Sequence, residues 1–267
     1  MLGSSGFGQY LAANSPIHKA DPRMKLVVTL IFMVSCFFIT RLSTLALAAC
    51  CALLAAFIAR VPASRLVSQL RHVLLFLTLT SVFNLFFVST GPVVLTTGPL
   101  IIHQGGILAA LLYTLRFAIL LIVGGLLLLT TSPTSLTDAF GALFAPLERL
   151  GVPITQASMI LSIALRFAPI LAREANNVRA AQTARGASFE GKSALAYARA
   201  SIPILIPLFA SALRHAENLG RAMDARAYTG GAKRTHYRIM RLSLRYDLPL
   251  AVGLVVYIIG LITLSLM

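Results

Sequence analysis

The sequence predicts an all-α integral membrane protein, with about five transmembrane helices and a cytoplasmic bundle of amphipathic helices. Hydrophobic residues make up 58% of the 267 residues, and only 12% of the residues are charged. The mean hydropathy is +0.85. A soluble domain has about 25% charged residues, so this chain is too apolar for that class. Its apolar residues fall in long runs, as membrane spans require.

The net charge of +15 is distributed unevenly along the chain. Of the 23 Lys and Arg residues, 15 fall between Thr131 and Arg245, and only Arg41 and Arg116 lie inside apolar runs. This asymmetry is typical of the positive-inside rule, with the head groups of the lipid bilayer as counter-charge. Nucleic acid is not an expected partner, because the chain has no Trp and the basic segment has few aromatic residues.

The first apolar run, Leu26 to Ile58, is 33 residues long. One span needs about 20 residues, so the run is either one overlong helix or two helices with a turn at Arg41. Both flanks are basic, which favours a hairpin with both flanks in the cytoplasm. Three more spans are predicted: His72 to Ser89, Ile107 to Thr130 and Asp247 to Met267. The segment Gly91 to Gly106 contains no Lys or Arg and is expected to be an external loop.

These runs divide the chain into an N-terminal membrane region with four spans (1–130), a cytoplasmic region (131–245) and a C-terminal span (246–267). The cytoplasmic region begins at a helix-capping signal, Ser132-Pro133-Thr134. It contains two long predicted helices, about Pro153 to Arg185 and Ser188 to Arg226, in which an apolar half gives way to a polar half. We expect both to lie partly in the membrane interface. The alternative is that Ile154 to Leu171 is a further span.

Both long helices end in a similar arginine tip, 41 residues apart: Ala184-Arg185-Gly186 and Ala225-Arg226-Ala227. An exposed Arg at a helix end presents five N–H donors that can bind a partner's carboxylates and backbone carbonyls. The simpler interpretation is that each cation interacts with the helix dipole and that Gly186 is an ordinary C-terminal cap. The duplication favours a two-pronged docking site.

Four other polar residues are candidates for a structural or pathway role. Arg116 lies near the middle of the fourth span, where it costs roughly 2.5–3.5 kcal/mol on insertion scales, so it should face protein or a wet cleft. Two roles are possible for Arg116: it lines a transport pathway, or it binds carbonyl groups at a helix end. The sequence around it, Leu-Arg-Phe-Ala, recurs around Arg166. Asp21 is a plausible N-cap, and Arg23 follows it among cations expected at the head groups.

No chemistry for catalysis or metal binding is predicted, so the chain is not expected to be an enzyme. The segment Gly186 to Ser193 fits the pattern of a phosphate-binding loop. However, it follows a helical run rather than a buried strand, and Phe189 and Glu190 place bulk and negative charge where phosphates would lie. The three cysteines lie in apolar stretches, and the five histidines are scattered, so neither a metal site nor a cofactor is expected.

Three features together resemble the transmembrane (T) component of energy-coupling factor transporters, and the resemblance covers nearly the whole chain. They are the N-terminal Ser15-Pro16-Ile17-His18-x-x-Asp21-Pro22-Arg23-x-Lys25, the stretch from Leu161 to Pro169, and the two arginine tips. The resemblance implies a non-catalytic coupling subunit of an ATP-driven importer of a vitamin or a transition metal. It places the protein in the prokaryotic inner membrane as a multi-pass protein, with its N-terminus and coupling helices in the cytoplasm.

The resemblance also implies the partners and the docking residues. Two ABC-type ATPases, as a heterodimer or homodimer, would bind ATP and Mg, and a small membrane-embedded S component would bind the substrate. Arg185 and Arg226 would dock into the ATPases, one in each subunit. Ala227 stands where the family often has Gly, and the left-handed backbone that Gly allows is less accessible to alanine. The alternative is a self-contained channel or secondary transporter that uses Arg116, although the spans lack acidic relay residues.

Overall fold

The computed structural model describes residues 10–11, 13–97, 100–187, 194–228, 230 and 242–266. The chain divides into two compact units, which we call the bundle unit (residues 8–139 and 239–267) and the tip unit (residues 140–238). The predicted middle region, 131–245, begins before the tip unit and ends after it. The function assigned to each region stays a prediction.

The bundle unit is built mainly from helices. Its elements are α1 (Pro16–Lys19), α2 (Pro22–Phe37), α3 (Leu42–Ile58), α4 (Ala63–Phe87), β1 (Val93–Thr97), β2 (Leu100–His103), α5 (Gln104–Thr130) and α9 (Leu244–Leu266). The fold class of an all-α membrane protein is confirmed. The antiparallel pair β1–β2 was not predicted, and it lies in the segment expected to be an external loop.

The tip unit begins within α6 (Pro133–Phe144), whose first residues belong to the bundle unit. A 3-10 helix (Ala145–Leu150), α7 (Ile154–Ala184) and α8 (Ala194–Ala225) make up its described elements. The side chain of Glu148 in the 3-10 helix caps α7, because its Oε1 accepts the N–H of Thr155 at 2.8 Å. The hydroxyl of Thr155 donates to the same oxygen. Two hydrogen bonds to the carboxylate hold the pKa of Glu148 below its ordinary value.

The first apolar run forms two helices, as predicted. α2 ends at Phe37, α3 begins at Leu42, and Arg41 is the N-cap of α3. The helices have 16 and 17 residues. Each therefore rises about 25 Å along its axis, less than the hydrocarbon core of about 30 Å.

Three helices in the described part of the chain are long and apolar enough to cross a membrane: α5, α7 and α9. The bent helix α4 would be a fourth span, and α3 is a shorter apolar helix. The fourth and the last predicted spans thus correspond to α5 and α9. The alternative interpretation, that Ile154 to Leu171 is a further span, requires a helix as long and apolar as α7.

The core of the bundle unit lies between α5 and the α2–α3 hairpin, with α9 against α2 and α3. The buried face of α3 includes three small residues one turn apart, Ala48, Ala52 and Ala56. Small residues allow helix backbones to approach closely, which is the main source of packing energy between helices in lipid. On α9 the hydroxyl of Tyr257 pairs with that of Ser35 at 2.9 Å.

Glycines allow α5 to begin directly against the end of α4. A Cβ on Gly106 would lie 2.6 Å from the carbonyl oxygen of Leu85. A Cβ on Gly105 would lie 2.4 Å from the carbonyl oxygen of Thr90. Because both obstacles are backbone atoms, which cannot rotate away, this close approach requires glycine.

Candidate functional site

The first arginine tip is the C-terminal end of α7, and it closes with two crossed backbone hydrogen bonds. The N–H of Gly186 donates to the carbonyl of Thr183 at 2.9 Å, and the N–H of Ala187 donates to that of Gln182 at 3.0 Å. This is a Schellman motif, in which the residue after the cap takes a left-handed conformation. Gly186 has that conformation, with φ of +89°. Arg185 is the C-cap and its side chain is exposed.

The second tip has the same geometry at the end of α8. The N–H of Ala227 donates to the carbonyl of Asp224 at 2.9 Å, and the N–H of Tyr228 donates to that of Met223 at 3.0 Å. Ala227 has φ of +53°, so it adopts the left-handed exit that was expected to be less accessible to alanine. The two hydrogen bonds of the motif offset that conformational cost. The side chain of Arg226 is exposed, like that of Arg185.

Both guanidinium groups are available to a partner. Within the described residues, neither Arg185 nor Arg226 has a side-chain hydrogen bond or an ion pair. As far as the described residues show, each tip thus presents an unpaired planar cation on a closed and regular helix end, the geometry that a bidentate contact with a carboxylate or carbonyl requires.

Helices α7 and α8 pack antiparallel. Phe167 packs its ring against that of His215 with centroids 5.7 Å apart. One to two turns further along α7, Glu174 accepts a hydrogen bond from the hydroxyl of Ser211, one turn earlier on α8. Contacts that advance along one helix and go back along the other define an antiparallel pair. The two arginine tips therefore lie at opposite ends of this pair.

The structure places Arg166 away from both tips, exposed on α7 beside Phe167. Arg116 is partly buried on α5, where its Nη2 donates to the carbonyl oxygen of Ile39 just after the end of α2. Its guanidinium carbon also lies 5.1 Å from the ring centroid of Tyr113. This geometry is a tie to a helix-end carbonyl, one of the two alternatives for Arg116. Its role stays a prediction.

Asp21 and Arg23 lie at the start of α2, in a buried group of helix ends. Asp21 caps α2, because its Oδ1 accepts the N–H of Arg23 at 2.9 Å. The N–H of Asp21 in turn donates to Oδ1 of Asp247 on α9 at 2.7 Å. The Nε of Arg23 is buried and has no hydrogen-bond partner among the described residues.

Lys25 completes this group, and the sequence indicated it only as the last residue of the N-terminal motif. Its Nζ donates to the carbonyl oxygens of His18 at 3.2 Å and of Thr130, the last residue of α5, at 3.1 Å. Asp247 was also missed, although its position as the one acid in the last apolar run was a signal. The start of α2, the end of α5 and the start of α9 thus lie at the same end of the bundle unit.

Of the segment that resembles a phosphate-binding loop, residues 188–193 lie outside the described residues. Gly186 and Ala187 belong to the helix end of the first tip. The described residues contain no cluster of three His, Cys, Asp or Glu side chains that could hold a metal ion.

A protein-family model described as CbiQ, cobalt transport protein, matches residues 13–237. The matched stretch runs from before α1 to beyond the second tip, and it covers well over half of the chain. The chain belongs to the CbiQ family. Both tips and most of the bundle unit fall within the match.

Individual relatives agree with this membership. The CbiQ-family chain is 36% identical over 259 residues to the energy-coupling factor transporter transmembrane protein EcfT of Brevibacillus brevis, covering 97% of the chain and 98% of the relative. It is 34% identical to EcfT of Bacillus subtilis, covering 89% and 90%. The resemblance to the T component of energy-coupling factor transporters is thus confirmed.

One relative is much longer. The CbiQ-family chain is 41% identical over 252 residues to a Bifidobacterium longum protein named as an ABC transporter ATP-binding protein. That alignment covers 94% of the chain but only 32% of the relative, so the chain spans about a third of that protein.

Proposed function

We propose that this chain is the non-catalytic coupling subunit of an ATP-driven importer of a micronutrient, a vitamin or a transition metal. In this function Arg185 and Arg226 bind two ABC-type ATPase subunits, which supply ATP and Mg. The chain passes the motion of the ATPases to a small membrane-embedded S component, which binds the substrate. The names of the EcfT relatives, which describe transmembrane proteins of energy-coupling factor transporters, support this proposal.

The observation that carries the proposal is the matched pair of arginine tips. Two helix ends with the same Schellman motif each expose a guanidinium group that has no partner in the described residues. A lone capping arginine would need neither the second copy nor the same backbone motif. The duplication is what a site for two similar partner surfaces requires.

The antiparallel packing supports one ATPase subunit at each tip. Arg185 lies 11 residues beyond Glu174 along α7, and Arg226 lies 11 residues beyond His215 along α8. At a rise of 1.5 Å per residue, each tip projects about 15–20 Å from the contact, in opposite directions along the pair. Two separate surfaces, such as those of an ATPase dimer, fit this spacing.

The position of the helix ends supports a cytoplasmic N-terminus. The basic segment from Lys19 to Lys25 lies at the same end of the bundle unit as the end of α5 and the start of α9. By the positive-inside rule this end faces the cytoplasm.

An exposed apolar stripe on α8 supports a contact with the membrane or with the S component. Its residues recur at helical spacing and are 49–68% exposed: Ile202, Leu205, Ile206 and Phe209. A stripe with this spacing on one helix face is typical of an amphipathic helix that binds lipid or an apolar partner.

The proposal is tested by purification of the tagged, full-length chain from its native host in mild detergent. Arg185→Glu and Arg226→Glu each reverse a charge at a docking contact, which typically costs 2 kcal/mol or more. We expect each variant to retain the ATP-binding subunits at least about tenfold less well than the wild type. Mass spectrometry of the co-purifying proteins gives the readout.

Arg214→Glu is the matched control, because Arg214 is also exposed on α8 but lies far from the tip. It should retain the ATPases as the wild type does. If both tip variants keep the ATPases while inserting normally, the docking role of the tips is wrong. A wild-type protein that purifies alone would contradict the coupling function itself and favour a self-contained transporter.

A further inference from the structure

Three buried charged residues hold together the helix ends at one end of the bundle unit. We call Asp21, Lys25 and Asp247 the helix-end junction. They are only 5–6% exposed. Charged side chains are rarely this buried unless hydrogen bonds satisfy them, so the partners of these three residues are informative.

The side chains of Lys25 and Asp247 bind backbone groups of other segments, and Asp21 supplies one of the N–H groups that Asp247 accepts. Lys25 donates to the carbonyl oxygen of Thr130 at 3.1 Å, which fixes the end of α5 to the start of α2. The Oδ1 of Asp247 accepts the N–H of Asp21 at 2.7 Å, and its Oδ2 accepts the N–H of Ser243 at 2.6 Å. The start of α9 is thereby fixed to the start of α2.

Two of the segments held by the junction lie close in sequence to points where the chain passes between the bundle unit and the tip unit. The chain passes out of the bundle unit after Ala139, nine residues beyond Thr130, and it re-enters that unit ahead of Ser243. The end of α5 and the start of α9 are therefore the bundle helix ends that follow or precede these two connections along the chain.

We propose that Asp21, Lys25 and Asp247 are positioning residues that transmit movement of the tip unit into the bundle unit. With the junction intact, a pull on either connection moves α2, α5 and α9 together. With Lys25 or Asp247 replaced, the connection moves without the bundle. This inference rests on the proposed coupling function, and it adds the residues through which the coupling passes.

The test uses hydrogen–deuterium exchange on the detergent-purified complex of the full-length chain with its ATPases. Exchange is compared between the nucleotide-free complex and the complex trapped with ATP and vanadate. Peptides from the end of α7 report the tip unit, and peptides from the end of α5 and the start of α2 report the bundle unit. The bundle response and the tip response are the changes in exchange of these two sets of peptides between the nucleotide-free and the trapped complex. The measured quantity is the bundle response divided by the tip response.

We expect Lys25→Met to keep the ATPases and the tip response, while the bundle response falls at least about fivefold, the low end of ordinary coupling energies. Lys25→Arg, which restores donors, should recover most of it. Lys19→Met is the matched control, because Lys19 is exposed at the end of α1 and outside the junction. If Lys25 only stabilised the fold, its replacement would not lower the bundle response relative to the tip response.

A wild-type bundle response in Lys25→Met would overturn the inference. If Lys25→Met does not accumulate, Asp247→Asn makes the same test, because it removes one of the two acceptor oxygens while keeping the shape of the side chain. A wild-type complex in which the tip unit responds and the bundle does not would also overturn it. A wild-type chain that binds no ATPase contradicts the proposed function instead, so the two failures are distinguishable.

Discussion

Gly186 and Ala227 occupy the same position in the same backbone motif, each directly after a tip arginine and each in the left-handed conformation. Their φ angles are +89° and +53°. An alanine in this conformation costs roughly 1–2 kcal/mol that a glycine avoids. The second tip thus keeps the geometry of the first while bearing a strain that the first lacks.

The strain at the second tip predicts that Ala227→Gly stabilises the end of α8. Hydrogen exchange of the Ala227 and Tyr228 amide groups, or their equivalents in the variant, should slow by about fivefold, which corresponds to about 1 kcal/mol. Gly186→Ala is the reciprocal variant. A Cβ there would meet no atom within 4 Å, so its cost is conformational alone. Equal exchange in all three proteins would mean that the left-handed residue does not limit the stability of the tips.

The close approach of α4 and α5 predicts a large effect at Gly106. Gly106→Ala places a Cβ 2.6 Å from a backbone oxygen and should lower the free energy of unfolding by about 1–3 kcal/mol, the usual range for overpacking. Gly253→Ala in α9 is the control, because a Cβ there meets nothing within 4 Å. The control should be neutral or stabilising, as alanine has the higher helix propensity. Thermal unfolding in mild detergent compares the two variants, and equal melting temperatures would contradict the prediction.

The contact between Glu174 and Ser211 predicts that α7 and α8 are coupled energetically. Ser211 is 4% exposed and donates its hydroxyl to the Glu174 carboxylate. A double-mutant cycle of Glu174→Ala and Ser211→Ala should give an interaction of about 0.5–3 kcal/mol in the free energy of unfolding. If the losses in free energy of unfolding of the two single variants sum to the loss of the double variant, the hydrogen bond does not hold the pair together.

The surroundings of His18 predict that the bundle unit loses stability in acid. Burial lowers the pKa of the His18 imidazole, the hydrogen bond to the Leu11 carbonyl partly offsets this, and the charge of Lys25 lowers the pKa further. As the pH falls, His18 of the unfolded chain is therefore protonated at a higher pH than His18 of the folded chain. The stabilisation is complete above the unfolded pKa of about 6.5, and it is lost as the pH falls below that value.

Melting temperatures of the wild type and of His18→Gln between pH 7.5 and pH 5 test this pH dependence. The glutamine does not titrate, so the difference between the two proteins should narrow as the pH falls. The other titratable groups are common to both proteins and cancel in that difference. Parallel curves over the whole range would show that His18 does not contribute to the loss.

The sequence was sufficient for the features that depend on local chemistry. Apolar length and flanking charge predicted the hairpin with its turn at Arg41, and the change from apolar to polar halves predicted α7 and α8. The Asp-Pro pair predicted the cap of α2. Each of these signals lies within a few residues of the element that it determines.

Contacts between distant segments could not be predicted in this way. The bond between Asp21 and Asp247 joins residues 226 positions apart, and that between Lys25 and Thr130 joins residues 105 positions apart. Nothing in the local pattern around Asp247 shows which helix end it binds. The left-handed Ala227 was missed for a related reason, since intrinsic preference opposes it and the hydrogen bonds of the helix end override that preference.

The short lengths of α2 and α3 have a consequence for the surrounding lipid. Their outward apolar side chains, among them Val34, Phe37 and Phe57, are 55–85% exposed. Where lipid covers this face, hydrophobic mismatch draws the two leaflets together locally, at a cost of fractions of a kcal/mol per Å. The bilayer should therefore be thinner beside α2 and α3 than beside the longer α5 and α9. The melting temperature of the protein reconstituted into bilayers of different acyl-chain length measures this dependence on thickness.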